Sequence, residues 1–355
     1  MISLSKPNIT EMELKALSEA ATSDKYVLGE NVYKFEEEFA KYIHVDFAVS
    51  TNSGGSALFL VNLALGKKSK VIVPAMTFIA TSNSVIQAGG LPIFCDISSS
   101  TYNIDIEKVP TDSEVILPVH LYGNPVDIHS LKERAPNAII IEDACQAHGA
   151  ELGSSKVGSL GNVGVFSFYP SKNMTVMGDG GMITTNDEKI ASIVAKLRDC
   201  GRKSRYLHDA VGYTMRLNSI NAAVGRVQLK RLDSMNEKRR RIASLYNSML
   251  KGVGDLVLPL EEKDAKHVYH LYVIKTSKRD LLAKFLESKG IQTGIHYDPP
   301  LHLQPIYQDM FKLSEGSFPV AEDHAKKALS IPIYPDLKDE EVRFVAQSII
   351  EFFEK

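Results

Sequence analysis

Short apolar runs alternating with helix-forming stretches constrain the fold of this chain more than any other feature. Phe47–Thr51, Val71–Pro74, Pro92–Cys95, Val115–His120, Ala138–Ile141 and Val163–Phe168 each read as a short strand. Helical patterns precede and separate them. Glu11–Ala21 and Asn31–Ile43 come first, the latter with Phe35, Phe39 and Tyr42 at i, i+4 and i+7; Ser56–Leu65 and Ser82–Ala88 follow. Such a βα rhythm predicts an α/β fold with a large, mostly parallel sheet covered on both faces. Asn218–Leu250 is long, charged and helix-forming. Its basic residues Lys230, Arg231, Lys238, Arg239, Arg240 and Arg241 read as a solvated face bridging two domains. Past Gly252 the pattern shifts to a strand at Tyr269–Ile274, a helix at Arg279–Ser288 and a closing helix at Glu340–Phe353. The expectation is a large domain over residues 1–245 and a small α+β domain over 246–355. A chain of 355 residues, 44% of them hydrophobic, is long enough to bury a full core.

Two strand ends carry chemistry. The run Val163–Phe168 delivers Ser167, Pro170, Ser171 and Lys172 into a turn, after which Gly178, Gly180 and Gly181 loosen the backbone. A lysine at the lip of a sheet, hemmed in by apolar residues, loses solvation. Its pKa falls and its amine becomes nucleophilic, as a Schiff-base lysine requires. The plain alternative is a solvated loop lysine. The strand Ala138–Ile141 runs into Glu142, Asp143, Ala144, Cys145 and Gln146. Ligands of open α/β sheets sit outside the carboxyl ends of the strands, so Asp143 and Lys172 are expected to face one cavity. A buried carboxylate there suits the pyridinium nitrogen of pyridoxal phosphate (PLP); otherwise Asp143 is a helix N-cap.

Motifs spread over nearly the whole chain carry a family resemblance. They include Leu4–Pro7, Tyr26–Gly29, Asn52–Leu58, Val73–Phe78, Val119–Gly123, Glu142–Gly149, Ser167–Asn173, Gly294–Tyr297, Leu301–Pro305 and Ser330–Tyr334. In order and spacing the sequence resembles the DegT/DnrJ/EryC1/StrS family of PLP-dependent aminotransferases acting on nucleotide-linked keto-sugars. The resemblance implies the fold type I (aspartate aminotransferase-like) architecture and a homodimer with shared active sites. It also implies amino transfer from glutamate to a 3-keto or 4-keto hexose, in deoxyamino-sugar biosynthesis for a surface polysaccharide or glycoside. Relatives that dehydrate sugars have His where this chain has Lys172, and some members were first described as regulators. A PLP-dependent dehydratase and a non-catalytic regulator are therefore the alternatives.

The resemblance also distributes roles. Lys172 would hold PLP and shuttle the proton. Asp143 would pair with the ring nitrogen, Gln146 with the ring hydroxyl, and Phe78 would stack on the ring. Gly54, Gly55 and Ser56, at a strand-to-helix junction, suit a phosphate because helix N-termini present free N–H groups; Ser167 would touch the same phosphate. Family members commonly carry Thr where Gly55 stands. Thr214 lies in Val211–Asn218, a segment resembling one that reaches across the dimer, where members often have Asn. His296, Tyr297 and His302 match positions near the substrate cleft, and Tyr26 and Arg205 are further candidates for contacting the nucleotide sugar. Cys145, where the family has a small residue, reads as a buried small hydrophobe.

Composition excludes other classes. A formal net charge of −2 gives no general attraction to nucleic acid or anionic membrane. Three cysteines (Cys95, Cys145, Cys200) without metal-ligand spacing argue against a disulfide framework or a zinc site and for a reducing compartment. With no signal-peptide pattern and no apolar run of membrane-spanning length, a cytoplasmic location is expected. Neither G-x-x-x-x-G-K-[ST] nor H-E-x-x-H occurs, and Gly158–Gly164 has the wrong glycine spacing for a dinucleotide fingerprint. No metal is predicted.

Overall fold

A computed structural model describes residues 1–66 and 70–354. Its centre is a seven-stranded sheet built from β1 (Phe47–Thr51), β2 (Lys70–Pro74), β3 (Leu91–Cys95), β4 (Val115–Ile116), β5 (Ile139–Asp143), β8 (Val163–Ser167) and β9 (Gly181–Thr185). The strands lie in the order β1-β9-β8-β5-β4-β2-β3; β9 runs antiparallel to both neighbours, and the other pairings are parallel. Between β5 and β8 the short strand β6 (Glu151–Leu152) pairs antiparallel with β7 (Ser155–Lys156) on one side and with β10 (Ala265–Lys266) on the other.

Alternation along the strands builds two cores. Ile72, Ile116, Ile140, Phe166 and Met182 join the core beneath α2 (Glu30–Ile43) and α7 (Ser219–Leu250). Their neighbours Val71, Val73, Val115, Ile141, Val165 and Ile183 face α3 (Gly54–Ala64) and α6 (Glu188–Arg198). On the first face the rings of Phe35 and Phe39 meet those of Phe166 and Phe168, with Phe39 and Phe166 edge-on at 5.0 Å. The strand that carries the lysine loop is thereby clamped from below.

Most expected elements form within a residue or two of their predicted bounds, and the departures have local causes. The strand expected at Val115–His120 stops at Ile116 because Pro118 has no N–H for the ladder, leaving one bridge between Val119 and Asp143. The strand expected from Tyr269 begins at Tyr272, since Tyr269 adopts a positive φ of 46°. The helix expected from Ser56 starts at Gly54, with Ser53 as its cap.

Helix α7 belongs to two cores at once. Ala222, Leu229, Leu232 and Met235 pack under the sheet; Ile242, Ala243, Tyr246 and Leu250 pack with β11 (Tyr272–Lys275), α8 (Arg279–Ser288), β12 (Ala328–Ile331) and α11 (Asp339–Glu354). Its basic run is the solvated face expected from charge only in part: Lys230, Lys238 and Arg241 are exposed, and the other three are not. Arg239 is fully buried and donates to the carbonyls of Tyr269, His270 and Ile333, while Arg231 pairs with buried Glu13 and Arg240 with Glu261. At the other end of the chain, Ile2 pairs with Ile291, and Leu4 accepts a hydrogen bond from Ile333.

A buried pair locks the turn after β5. Glu142 is fully buried and accepts from Gly158 N at 2.9 Å, Gly161 N at 2.6 Å and His120 Nε2 at 3.0 Å. Val126 N donates to His120 Nδ1 at 2.9 Å, so the ring proton sits on Nε2 and points at the carboxylate. Replacing Glu142 with Ala strands three buried donors. We expect a loss of about 3–5 kcal/mol, measured as a lower urea midpoint at unchanged slope.

Candidate active site

Strands β1, β2, β5 and β8 end on the same edge of the sheet, and a cavity of about 580 Å³ opens there. Asp143 and Gln146 come from the end of β5, Ser167 and Lys172 from the end of β8, and Gly54 and Gly55 from the start of α3 after β1. Thr77, Phe78 and Thr81 follow β2; His270, Leu271, His296 and Tyr297 close the cavity from the C-terminal side, and Leu4 and Ser5 from the N-terminus.

Asp143 is buried. Its Oδ1 accepts from Cys145 N at 3.2 Å and its Oδ2 from Thr81 Oγ1 at 2.9 Å. Gln146 Oε1 accepts from Tyr122 N at 2.9 Å, which leaves the amide nitrogen to meet Tyr297 Oη at 3.4 Å. Lys172 N donates to Tyr169 O at 2.8 Å, closing the turn after β8. Asn173 beside it is tied to Asn236 Oδ1 at 2.8 Å and Val268 O at 3.0 Å. The lysine therefore projects from a backbone fastened to α7.

Burial holds the Lys172 amine below the usual lysine range, opposed by the neighbouring Cys145 and Asp143. Burial, with help from Lys172, drives His296 down to about 4 and His148 to about 3. His270 is pushed well below its ordinary value by burial, with Lys172 and Arg239 adding to it. Near neutral pH these imidazoles are uncharged and add no positive charge around the amine. Burial raises the Cys145 thiol well above its ordinary value, with Asp143 contributing, so it stays a neutral thiol.

Of the residues singled out from sequence, Gly54, Gly55, Phe78, Asp143, Gln146, Ser167, Lys172, His296 and Tyr297 line this one cavity. Five others do not. Ser56 lies in an adjoining depression; its N–H donates to Ser53 Oγ at 3.1 Å, so Ser53 is the serine that faces the cavity. His302 is fully buried against Glu322, Nε2 to Oε1 2.9 Å, because that carboxylate also gathers Gly316 N and Phe318 N and draws the ring inward. Tyr26 is exposed, with its hydroxyl on Ala21 O at 3.0 Å, and Arg205 is exposed over the ring of Tyr206. Thr214 is exposed beside Cys200. Sequence reasoning missed Ser53, Thr81 and His270. Thr81 lay just outside the helix expected from Ser82 and His270 inside an ordinary strand pattern, and only Ser53, next to the glycine pair, carried a local signal.

A model of the DegT/DnrJ/EryC1/StrS aminotransferase family matches residues 7–350. The chain belongs to that family. It is 39% identical over 358 residues to a pleiotropic regulatory protein of Geobacillus stearothermophilus, covering 98% of this chain and 95% of the relative. It is 38% identical over 356 residues to the dTDP-3-amino-3,4,6-trideoxy-alpha-D-glucose transaminase of Streptomyces venezuelae, covering 97% and 94%. Among solved structures, DesV of S. venezuelae in complex with a ketimine intermediate superposes with a TM-score of 0.93 at 37% identity, over 97% of this chain and 94% of that one. Among the described residues no cluster of three or more His, Cys, Asp or Glu could hold a metal ion, and no helix is long and apolar enough to cross a membrane.

Proposed function

We propose that this chain is a PLP-dependent aminotransferase that moves an amino group from glutamate to a nucleotide-linked 3-keto or 4-keto hexose. The observation that carries the reading is that Lys172 and Asp143 line one cavity at the strand ends. The cavity fits the cofactor on three further counts. Its volume of about 580 Å³ suits a small cofactor with a substrate beside it. The free N–H groups at the start of α3 suit a phosphate. Gly54 approaches β8 so closely that an added Cβ would lie 2.6 Å from Ser167 Cβ, so the wall there is backbone.

Bound PLP supplies an electron sink for charge developing at the reacting carbon. This chain's residues do the rest. Asp143 holds the ring nitrogen proton, Gln146 and Phe78 orient the ring, and Gly54, Gly55 and Ser167 cradle the phosphate. The Lys172 amine, held below the usual lysine range by burial, takes and returns the substrate proton. His296 and Tyr297, which close the cavity from the C-terminal side, would contact the sugar nucleotide. Residues 1–245 serve as the cofactor domain and 246–355 as the small domain bringing His296 and Tyr297. Exposed Thr214, Arg205 and Tyr26 fit contacts with a second copy or its substrate, so the working form is a homodimer.

The test is spectroscopic. Reconstituted protein should show a visible band from bound PLP that glutamate bleaches and a keto-sugar nucleotide restores. A protein that stays colourless refutes the reading. The glycines give a second check. A Cβ at Gly55 meets nothing closer than 3.9 Å, so Gly55→Thr should leave the melting temperature unchanged and tighten PLP by about tenfold through a new hydroxyl. Gly54→Ala forces Ser167 aside, at about 1–3 kcal/mol of stability, and should weaken PLP binding measured by titration of the apoprotein.

Similarity to a pleiotropic regulatory protein favours one second reading, a regulator of the same fold. A dehydratase has less support, because Lys172 occupies the position where such relatives have His.

A further inference from the structure

The Asp143 carboxylate is not free to choose its own orientation. Thr81, buried on α4 (Ala80–Gln87), sends its hydroxyl to Asp143 Oδ2 at 2.9 Å. Thr77, also buried, stands 3.1 Å from the Thr81 oxygen. An ionised carboxylate only accepts, and a hydroxyl has one proton to give. Thr81 therefore donates to Asp143, and Thr77 must donate to Thr81. A threonine inside a helix ordinarily returns its hydroxyl to a carbonyl one turn back. Thr81 instead reaches across 62 positions of sequence to the end of β5, and both threonines line the same cavity as Asp143.

We infer that Thr81, backed by Thr77, is a positioning residue that fixes the Asp143 carboxylate for the ring nitrogen of the cofactor. The inference rests on the PLP reading above. Thr81 and Cys145 N each occupy a different carboxylate oxygen, which restricts rotation of the group. Lone pairs remain on both oxygens for a donor within the cavity. Chains of hydroxyls polarise one another, so the Thr77 bond strengthens the Thr81 bond. Without the chain the carboxylate turns toward whatever donor is nearest, and alignment with the ring is lost even though the charge remains.

Isosteric replacement separates the hydroxyl from the volume. PLP is titrated into apoprotein of the wild type and of Thr81→Val, Thr81→Ser, Thr77→Val and Asp143→Asn. The pH midpoint of the bound-PLP absorbance is then followed for each. Thr81→Val should bind PLP about tenfold more weakly, and its midpoint should move in the same direction as that of Asp143→Asn, by less. Thr81→Ser should match the wild type in both readouts. Thr77→Val should show a smaller displacement of the same sign, and it decides the matter if Thr81→Val does not fold. Wild-type values for both Thr81→Val and Thr77→Val overturn the inference while leaving the cofactor reading intact. So does a Thr81→Ser variant as impaired as Thr81→Val, which would make packing the cause. Wild-type protein that takes up no PLP instead refutes the cofactor reading itself, and the inference with it.

Discussion

Lys172→Ala is expected to abolish amino transfer, with turnover falling by about 10⁴-fold or more, because one side chain both anchors the cofactor and carries the proton. The visible band should vanish as well, whereas PLP held only through Asp143, Gln146 and the phosphate cradle should still bind weakly. Nothing in the fold depends on the amine, which has no hydrogen-bond partner among the contacts that close the turn; the Tyr169 and Asn173 bonds do that. The melting temperature of the apoprotein should therefore stay near the wild-type value. Single-turnover assays with glutamate give the rate, and absorbance gives the band. The same variant discriminates the second reading: a regulator keeps its effect in the cell without Lys172, and an aminotransferase does not. Turnover within tenfold of the wild type would exclude Lys172 from the chemistry.

Acid should unfold this protein steeply. Burial drives His148, His267 and His324 to about 3, helped by Lys172, Arg240 and Lys275 respectively. The packing explains why each stays neutral. His148 lies against the rings of Phe166 and Phe168, His267 Nδ1 accepts from Tyr269 N at 2.8 Å, and His324 stacks on Tyr102 at 4.0 Å. In each case the folded value lies below the unfolded one of about 6.5. As the pH drops, the unfolded chain takes the proton first. Stability is thus fully present above about pH 6.5 and is lost as the pH falls toward the folded values. Each imidazole contributes up to about 1.4 kcal/mol per pH unit, so the three together remove on the order of 4 kcal/mol per unit between roughly pH 6 and 4. That rivals the whole stability of an ordinary domain. Urea midpoints measured from pH 8 to pH 4 should be level above pH 7 and then fall sharply. A profile flat down to pH 4 would mean that these rings are solvated.

Much of the site could be read before any coordinates. Asp143 and Lys172 each end an apolar run, and strand ends are where α/β sheets bind ligands, so local pattern sufficed to predict that they share a cavity. Ser167 and Gln146 came with the same two motifs, Gly54 with the glycine pair after β1, and all three line the same cavity. His302 did not follow. Its motif matched, but Glu322 on a neighbouring helix captures its ring, and nothing near position 302 announces that partner. The basic run of α7 misled at Arg239, though Lys230, Lys238 and Arg241 are exposed as expected. A charged stretch looks solvated until distant carbonyls of Tyr269, His270 and Ile333 prove to surround Arg239.

The sequence by itself determined six of the seven strands of the central sheet, most of the helices and the two residues, Asp143 and Lys172, proposed to hold the cofactor. Periodicity and turn residues are local properties, and a strand of five residues needs only its own pattern to declare itself. Tertiary structure alone decided which strand ends adjoin. The order β1-β9-β8-β5-β4-β2-β3 is not the order of the chain, and it sets β8 between β5 and β9. That shuffling brings Thr81 onto Asp143, Gly54 onto Ser167, and His270 and Leu4 onto the open side. These contacts join residues tens to hundreds of positions apart, and their energies exist only once the whole sheet has closed around them.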